Sequence, residues 1–192
     1  MVLRVWHLLL FGVIVVATAL VVGLMAMGRQ PTVAAPSAAT HSSAHVSLSD
    51  YFARVKVQQD RFLGTEASAE AALDTLRPVP DQNWATAAVT FRQVRDAFTD
   101  IAVQLRLIGP PPEVAAEHKG LTKSVELFAA SADGLQQALA DSDQQGVVDA
   151  NARTNDQQIV ELRTAWRNAV TAYARTTNAS VPHWVAEVGT RG

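Results

Sequence analysis

Few side chains in this sequence combine the type and the spacing that chemistry requires. His118 is the histidine that falls on an apolar helical stripe, where its ring could ligate a metal or haem or sit hydrogen-bonded in a core. His41 and His45 stand four apart, the spacing of two ligands on one helical face, but their Ser/Ala-rich surroundings supply neither scaffold nor third ligand. Glu66 and Asn155 fall on inward-facing stripe positions of two helical segments, and Gln59 lies two stripe positions from Glu66. A carboxylate turned inward must be hydrogen-bonded or protonated. Two roles fit. Glu66 can bond Asn155 and set helix register, as buried polar residues do in coiled coils. Alternatively, Glu66, Asn155 and Gln59 line a small polar ligand pocket, with His118 as a further ligand-contacting candidate.

Other chemistries are excluded by what the chain lacks. It contains no cysteine, which removes disulfides, thiolate nucleophiles, Cys-ligated zinc, iron–sulfur clusters and a lipoprotein anchor. Di-iron bundles need two Glu-x-x-His elements, and none occurs. Met1, Met25 and Met27 all precede the helical stripes, so none can serve a haem in a bundle core. There is no glycine-rich phosphate loop, no nucleophile elbow and no pair of carboxylates at readable spacing. The expectation is a protein that is not an enzyme and carries no cofactor. Once Arg4 and Arg29 are set aside with the apolar segment, 14 of the 16 basic residues face all 18 acidic ones, a balance of about −4. That is the wrong sign for a nucleic-acid surface, which needs clustered positive charge to displace counterions from phosphate.

The elements that position these residues begin with a membrane segment. Residues 5–27 are uncharged and apolar, bracketed by Arg4 and Arg29. As a helix they reach about 34 Å, enough for a hydrocarbon core of about 30 Å. Trp6 and His7 stand in its first turn, where amphipathic side chains meet the headgroups. A cleaved signal peptide competes, with Ala17-Thr18-Ala19 or Val33-Ala34-Ala35 as the site, but its apolar run would be shorter than this one. The expected division is a membrane anchor over residues 1–29, a flexible linker over 30–46, a helical bundle over 47–177 and a C-terminal tail over 178–192. Either fate of the first segment exports the bundle, with the N-terminus left in the cytoplasm when the anchor is kept.

Within the bundle, four segments carry apolar residues at alternating steps of three and four. The first aligns Phe52, Val55, Phe62, Ala69 and Leu73, opens on a Ser47/Asp50 capping box and stops at Pro78 and Pro80. The second opens at Asp81 and aligns Trp84, Ala88, Phe91, Val94, Phe98 and Leu105 before Gly109 and three prolines. The third begins near Pro112-Glu113 and aligns Val114, His118, Leu121, Val125, Phe128 and Ala132. The fourth is expected to open on a Ser142/Gln145 capping box and to run unbroken through Val148, Ala152, Asn155, Ile159, Leu162, Trp166, Ala169 and Tyr173. Short connections predict an all-α, up-and-down antiparallel four-helix bundle. Antiparallel alignment stacks Glu66, Phe91, Ala132 and Asn155 into one layer. The Arg92/Arg95 and Arg163/Arg167 pairs then fall on outer faces, solvated. The Val181-Pro182-His183-Trp184-Val185 cluster is expected to fold back on the bundle end or to form a short terminal turn.

The stretch Gly109-Pro110-Pro111-Pro112-Glu113 through His118, opening a third helix, resembles a pattern in uncharacterised bacterial envelope proteins built as helical bundles. The layout is also similar to the extracytoplasmic four-helix sensor domains of chemoreceptors, from which it departs in showing neither a second apolar span nor an output domain. The expectation is a membrane-anchored, extracytoplasmic, non-enzymatic bundle that works by binding, either an envelope protein or a small molecule. Two alternatives stand beside it: a sensor or accessory subunit signalling through a partner membrane protein, and a metal- or haem-binding bundle that would rest on His118.

Overall fold

The computed structural model describes residues 47–76 and 80–190. The anchor expected over residues 5–27 and the linker over 30–46, with His41 and His45, lie outside the described residues. Among the described residues no helix is long and apolar enough to cross a membrane.

The described chain is all-α, with no strand. Helix α1 spans Leu48–Leu76. Its first turn is capped as the sequence predicts: Asp50 N donates to Ser47 Oγ (3.1 Å), and the Ser47 hydroxyl donates to the Asp50 carboxylate (2.8 Å). Helix α2 spans Pro80–Leu107, so Pro80 does not terminate the first helix but opens the second. Proline is tolerated at that position because its missing N–H has no intrahelical acceptor there. A 3-10 turn over Pro112–Val114 then feeds α3, Ala115–Ala140.

The expected continuous fourth helix is two helices. Helix α4 covers Gln144–Ala152, a 3-10 turn follows over Arg153–Asn155, and α5 runs over Gln157–Thr176. Asp156 sits between them in extended conformation (φ −61°, ψ 127°), its carboxylate accepting from Gln158 N at 2.8 Å. An aspartate with this geometry is an N-cap, and it starts a helix rather than continuing one. The start of α4 is also corrected. Ser142 has φ +56°, and Asp143 N donates back to Ala138 O (2.8 Å), so Ser142 is the left-handed residue that closes α3. Asp143 is the cap, accepting from Gly146 N at 3.0 Å.

Neighbouring helices run antiparallel. Thr75 near the end of α1 accepts from Asn83 near the start of α2. Along α2 and α3, Arg95 meets Asp133 while Arg106 meets Glu126. The stripes of α1 to α3 face the core as expected: Phe52, Val55, Phe62, Phe91, Val94, Phe98, Leu121, Val125 and Ala132 are all buried. The fourth stripe does so only in part, at Ile159 and Trp166. Val148 is 57 % exposed, and α5 buries Ile159, Arg163, Trp166, Val170 and Ala174 rather than Leu162, Ala169 and Tyr173. Arg163 lies one turn from both Ile159 and Trp166 on this buried face, so it is carried into the interior with them.

After α5, Asn178 takes a left-handed conformation (φ +53°), and Ala179 N returns to Ala174 O at 2.9 Å. The tail then runs back along α5. A 3-10 turn over His183–Glu187 buries Val185, and Val188 follows it into the core. Trp184 stacks on Trp166 (ring centroids 6.1 Å, 26°) and meets Phe52 edge-on (6.3 Å, 88°). Arg167 fixes this course by donating to the carbonyl of Val188 at 3.1 Å. The tail thus extends beyond the bundle end and forms part of its side.

Candidate functional site

Two polar arrangements lie inside the bundle, at different levels. The first joins four elements at the end where α1 begins. Leu105 O can only accept, so His118 donates to it from Nε2 at 2.8 Å. That leaves Nδ1 as the acceptor for the Tyr51 hydroxyl at 2.9 Å. The Tyr51 oxygen in turn accepts from Trp166 Nε1 at 2.7 Å. All three side chains are buried. Burial holds the His118 imidazole below its ordinary pKa, opposed by the bond to Leu105, and pushes the Tyr51 phenol well up. His118 is therefore neutral at pH 7, with both ring nitrogens occupied, and it stands apart from the cavity described next. Among the described residues no cluster of three or more potential metal ligands occurs.

The second arrangement is a groove. The α1–α2, α2–α3 and α3–α5 pairs pack closely, whereas α1 and α5 do not. Near their Tyr51/Trp166 end the gap is filled by Trp184. Beyond it the gap opens into a groove of about 740 Å³, within the range of small-molecule sites. Phe62, Phe98 and Phe128 line it as three mutually packed rings, with centroids 4.9 to 5.5 Å apart. Phe91, Ala132 and Leu135 continue that apolar lining. Thr154 and Ile159 come from either side of the helix break, and Trp184 and Gly189 from the tail. Gly189 has φ +78°, and a Cβ there would stand 3.1 Å from Arg163 Cβ and Thr164 Oγ1, so glycine is what lets the tail close against α5.

Arg163 lines this groove at 7 % exposure. Its guanidinium carbon lies 4.2 Å above the Phe62 ring, and Nη2 donates to Gln59 Oε1 across a long 3.3 Å. Nη1 is buried and has no hydrogen-bond partner among the described residues. Burial lowers the Arg163 pKa to about 10, and the charge of Glu66 only partly opposes it. The group is still cationic at pH 7, in surroundings that disfavour the cation. Stacking on Phe62 contributes about 0.5–2 kcal/mol, while leaving a buried charged donor unsatisfied costs at least about 1–3 kcal/mol. A ring face attracts the cation but accepts no N–H in the way an oxygen does, so among the described residues Nη1 remains short of one acceptor.

The structure brings Glu66, Gln59, Phe91 and Ala132 to the walls of this one groove. Glu66 and Gln59 are half-buried, in line with a polar rim above an aromatic floor. Asn155 belongs to the 3-10 turn between α4 and α5, not to a continuous stripe. Arg163, read from sequence as a solvated outer residue, is instead the most buried charged side chain of the groove. The signal that could have found it is the alternative stripe Ile159, Arg163, Trp166, Val170, which keeps the three-and-four spacing as far as Val170. Compared with protein-family models, with curated proteins and with solved structures, the chain matches none.

Proposed function

We propose that this protein is a non-enzymatic, membrane-anchored binding protein of the bacterial envelope that holds a small molecule in the groove between α1, α5 and the C-terminal tail. One observation carries the reading: a buried arginine whose Nη1 has no hydrogen-bond partner among the described residues lines a groove of about 740 Å³ floored by aromatic rings. A core built only for stability would place an apolar side chain at position 163, since a buried ion without full compensation is worse than a hydrophobic isostere. The apolar run over residues 5–27 and its flanking arginines support the anchored, extracytoplasmic placement. The lack of any catalytic motif in the sequence supports binding rather than turnover.

The reading is tested on the full chain purified from the membranes of its host. Native mass spectrometry should reveal a bound small molecule. Substituting Ala132, which is buried on the groove wall, by phenylalanine should empty it while far-ultraviolet circular dichroism stays unchanged. A wild-type protein that carries no molecule and acquires none from its host's extract would remove the proposal.

A further inference from the structure

Resting on the binding role proposed above, we infer that the ligand is a carboxylate carrying an apolar ring system, its carboxylate forked by Arg163 and its rings laid against Phe62, Phe98 and Phe128. Nη1 and Nη2 are donors, so only an acceptor can satisfy them. An ammonium ligand cannot do so and would add a second positive charge beside the first. A neutral hydroxyl or carbonyl would satisfy Nη1 but add no negative charge to what Glu66 supplies against the burial of the cation. A carboxylate supplies both the acceptor and the charge, in the planar two-point geometry that a guanidinium matches best.

The groove permits this arrangement. Among the described residues Nη2 makes one hydrogen bond, the long 3.3 Å one to Gln59, so binding would exchange that bond and part of the stacking on Phe62 for the carboxylate as the terminal torsions of Arg163 turn toward the lumen. The other acidic side chains of the rim are exposed. Asp60 is paired with Lys56 at 2.7 Å, and Glu187 lies 3.6 Å from His183. Glu70 is also exposed, so its repulsion of an anion is screened by solvent. The three phenylalanine rings present faces and edges to one side of the lumen, which suits a flat apolar body better than a polar one.

The test uses the full chain in lipid nanodiscs, titrated calorimetrically with 2-naphthoate, 2-naphthylmethanol and 2-naphthylmethylamine against empty nanodiscs. The acid should bind at least about tenfold more tightly than the alcohol, and the amine most weakly. Arg163→Met keeps the length of the side chain and removes its charge, so the variant should bind acid and alcohol alike, with circular dichroism unchanged. If the wild type binds acid and alcohol equally, the carboxylate assignment falls while the groove stands. The assignment falls equally if the acid is preferred but Arg163→Met retains that preference. If none of the three probes binds, the groove reading falls with it.

Discussion

Removing the Tyr51 hydroxyl leaves two buried partners without a bond, because it accepts from Trp166 and donates to His118. Tyr51→Phe should therefore cost about 1–3 kcal/mol in denaturant unfolding, although it deletes a single atom. The same network makes stability depend on pH. His118 has its folded pKa below the ordinary 6.5, so the unfolded chain takes up a proton first as pH falls. Stability from this residue is complete above about 6.5 and declines as pH drops from there through the folded value. Melting temperatures taken from pH 8 down to pH 5 should fall in the wild type and fall less in His118→Gln. Equal slopes in the two would show that His118 does not titrate on unfolding. Glu66→Leu addresses the other interior site. If Glu66 keeps helix register, the variant stays stable with looser helical order; if it serves a ligand, order is kept and binding is lost.

The elements that carry the groove are those with the most individual starts and stops. Asp156 caps α5, and Asp156→Ala should cost about 1 kcal/mol while shifting the first turn of α5, which carries Ile159 and leads to Arg163. The tail depends on Gly189. A residue with a Cβ there pays about 1–2 kcal/mol for the left-handed conformation and also meets Arg163 and Thr164. Gly189→Ala should therefore free the tail without unfolding the bundle. Amides of residues 183–188 should exchange faster while those of α1 to α3 keep their protection, and Trp184 emission should shift to the red. Unchanged exchange in the tail would mean that Arg167 and Val185 hold it without help from Gly189.

At the scale of the whole molecule, the three-ring cluster ties α1, α2 and α3 together. Phe98 is 2 % exposed between Phe62 and Phe128, so Phe98→Ala should cost about 3–5 kcal/mol in a cooperative melt of the full chain. A loss below about 1 kcal/mol would mean that the cluster relaxes into the groove instead of leaving a cavity. The anchor proposed over residues 5–27 makes a separate prediction. A phosphatase fused after Gly192, active only where disulfides form, should be active in cells, and a cytoplasmic reporter at the same position should not. The opposite pattern would place the bundle inside the cell.

The sequence by itself determined that the chain beyond residue 46 is helical, and it determined which faces of α1, α2 and α3 turn inward. Phe52, Phe62, Phe91, Phe98 and Val125 repeat at three and four over several turns, and a single phase satisfies each stripe. It also placed Glu66, Gln59, Phe91 and Ala132 near one another, because antiparallel helices with short connections leave little freedom of register. Only the tertiary structure decided what completes the site. In the fourth segment the apolar spacing points to Leu162, Ala169 and Tyr173 beside Ile159 and Trp166, whereas the fold buries Arg163, Val170 and Ala174 beside the same two. Arg163 went inside because Phe62 offers its ring face and Gln59 its carbonyl, partners more than a hundred residues away in the chain. The tail behaved likewise. Trp184 and Val188 carry no period of their own, and their place along α5 exists only because α1 and α5 leave a gap between Phe52 and Trp166 for an indole to fill.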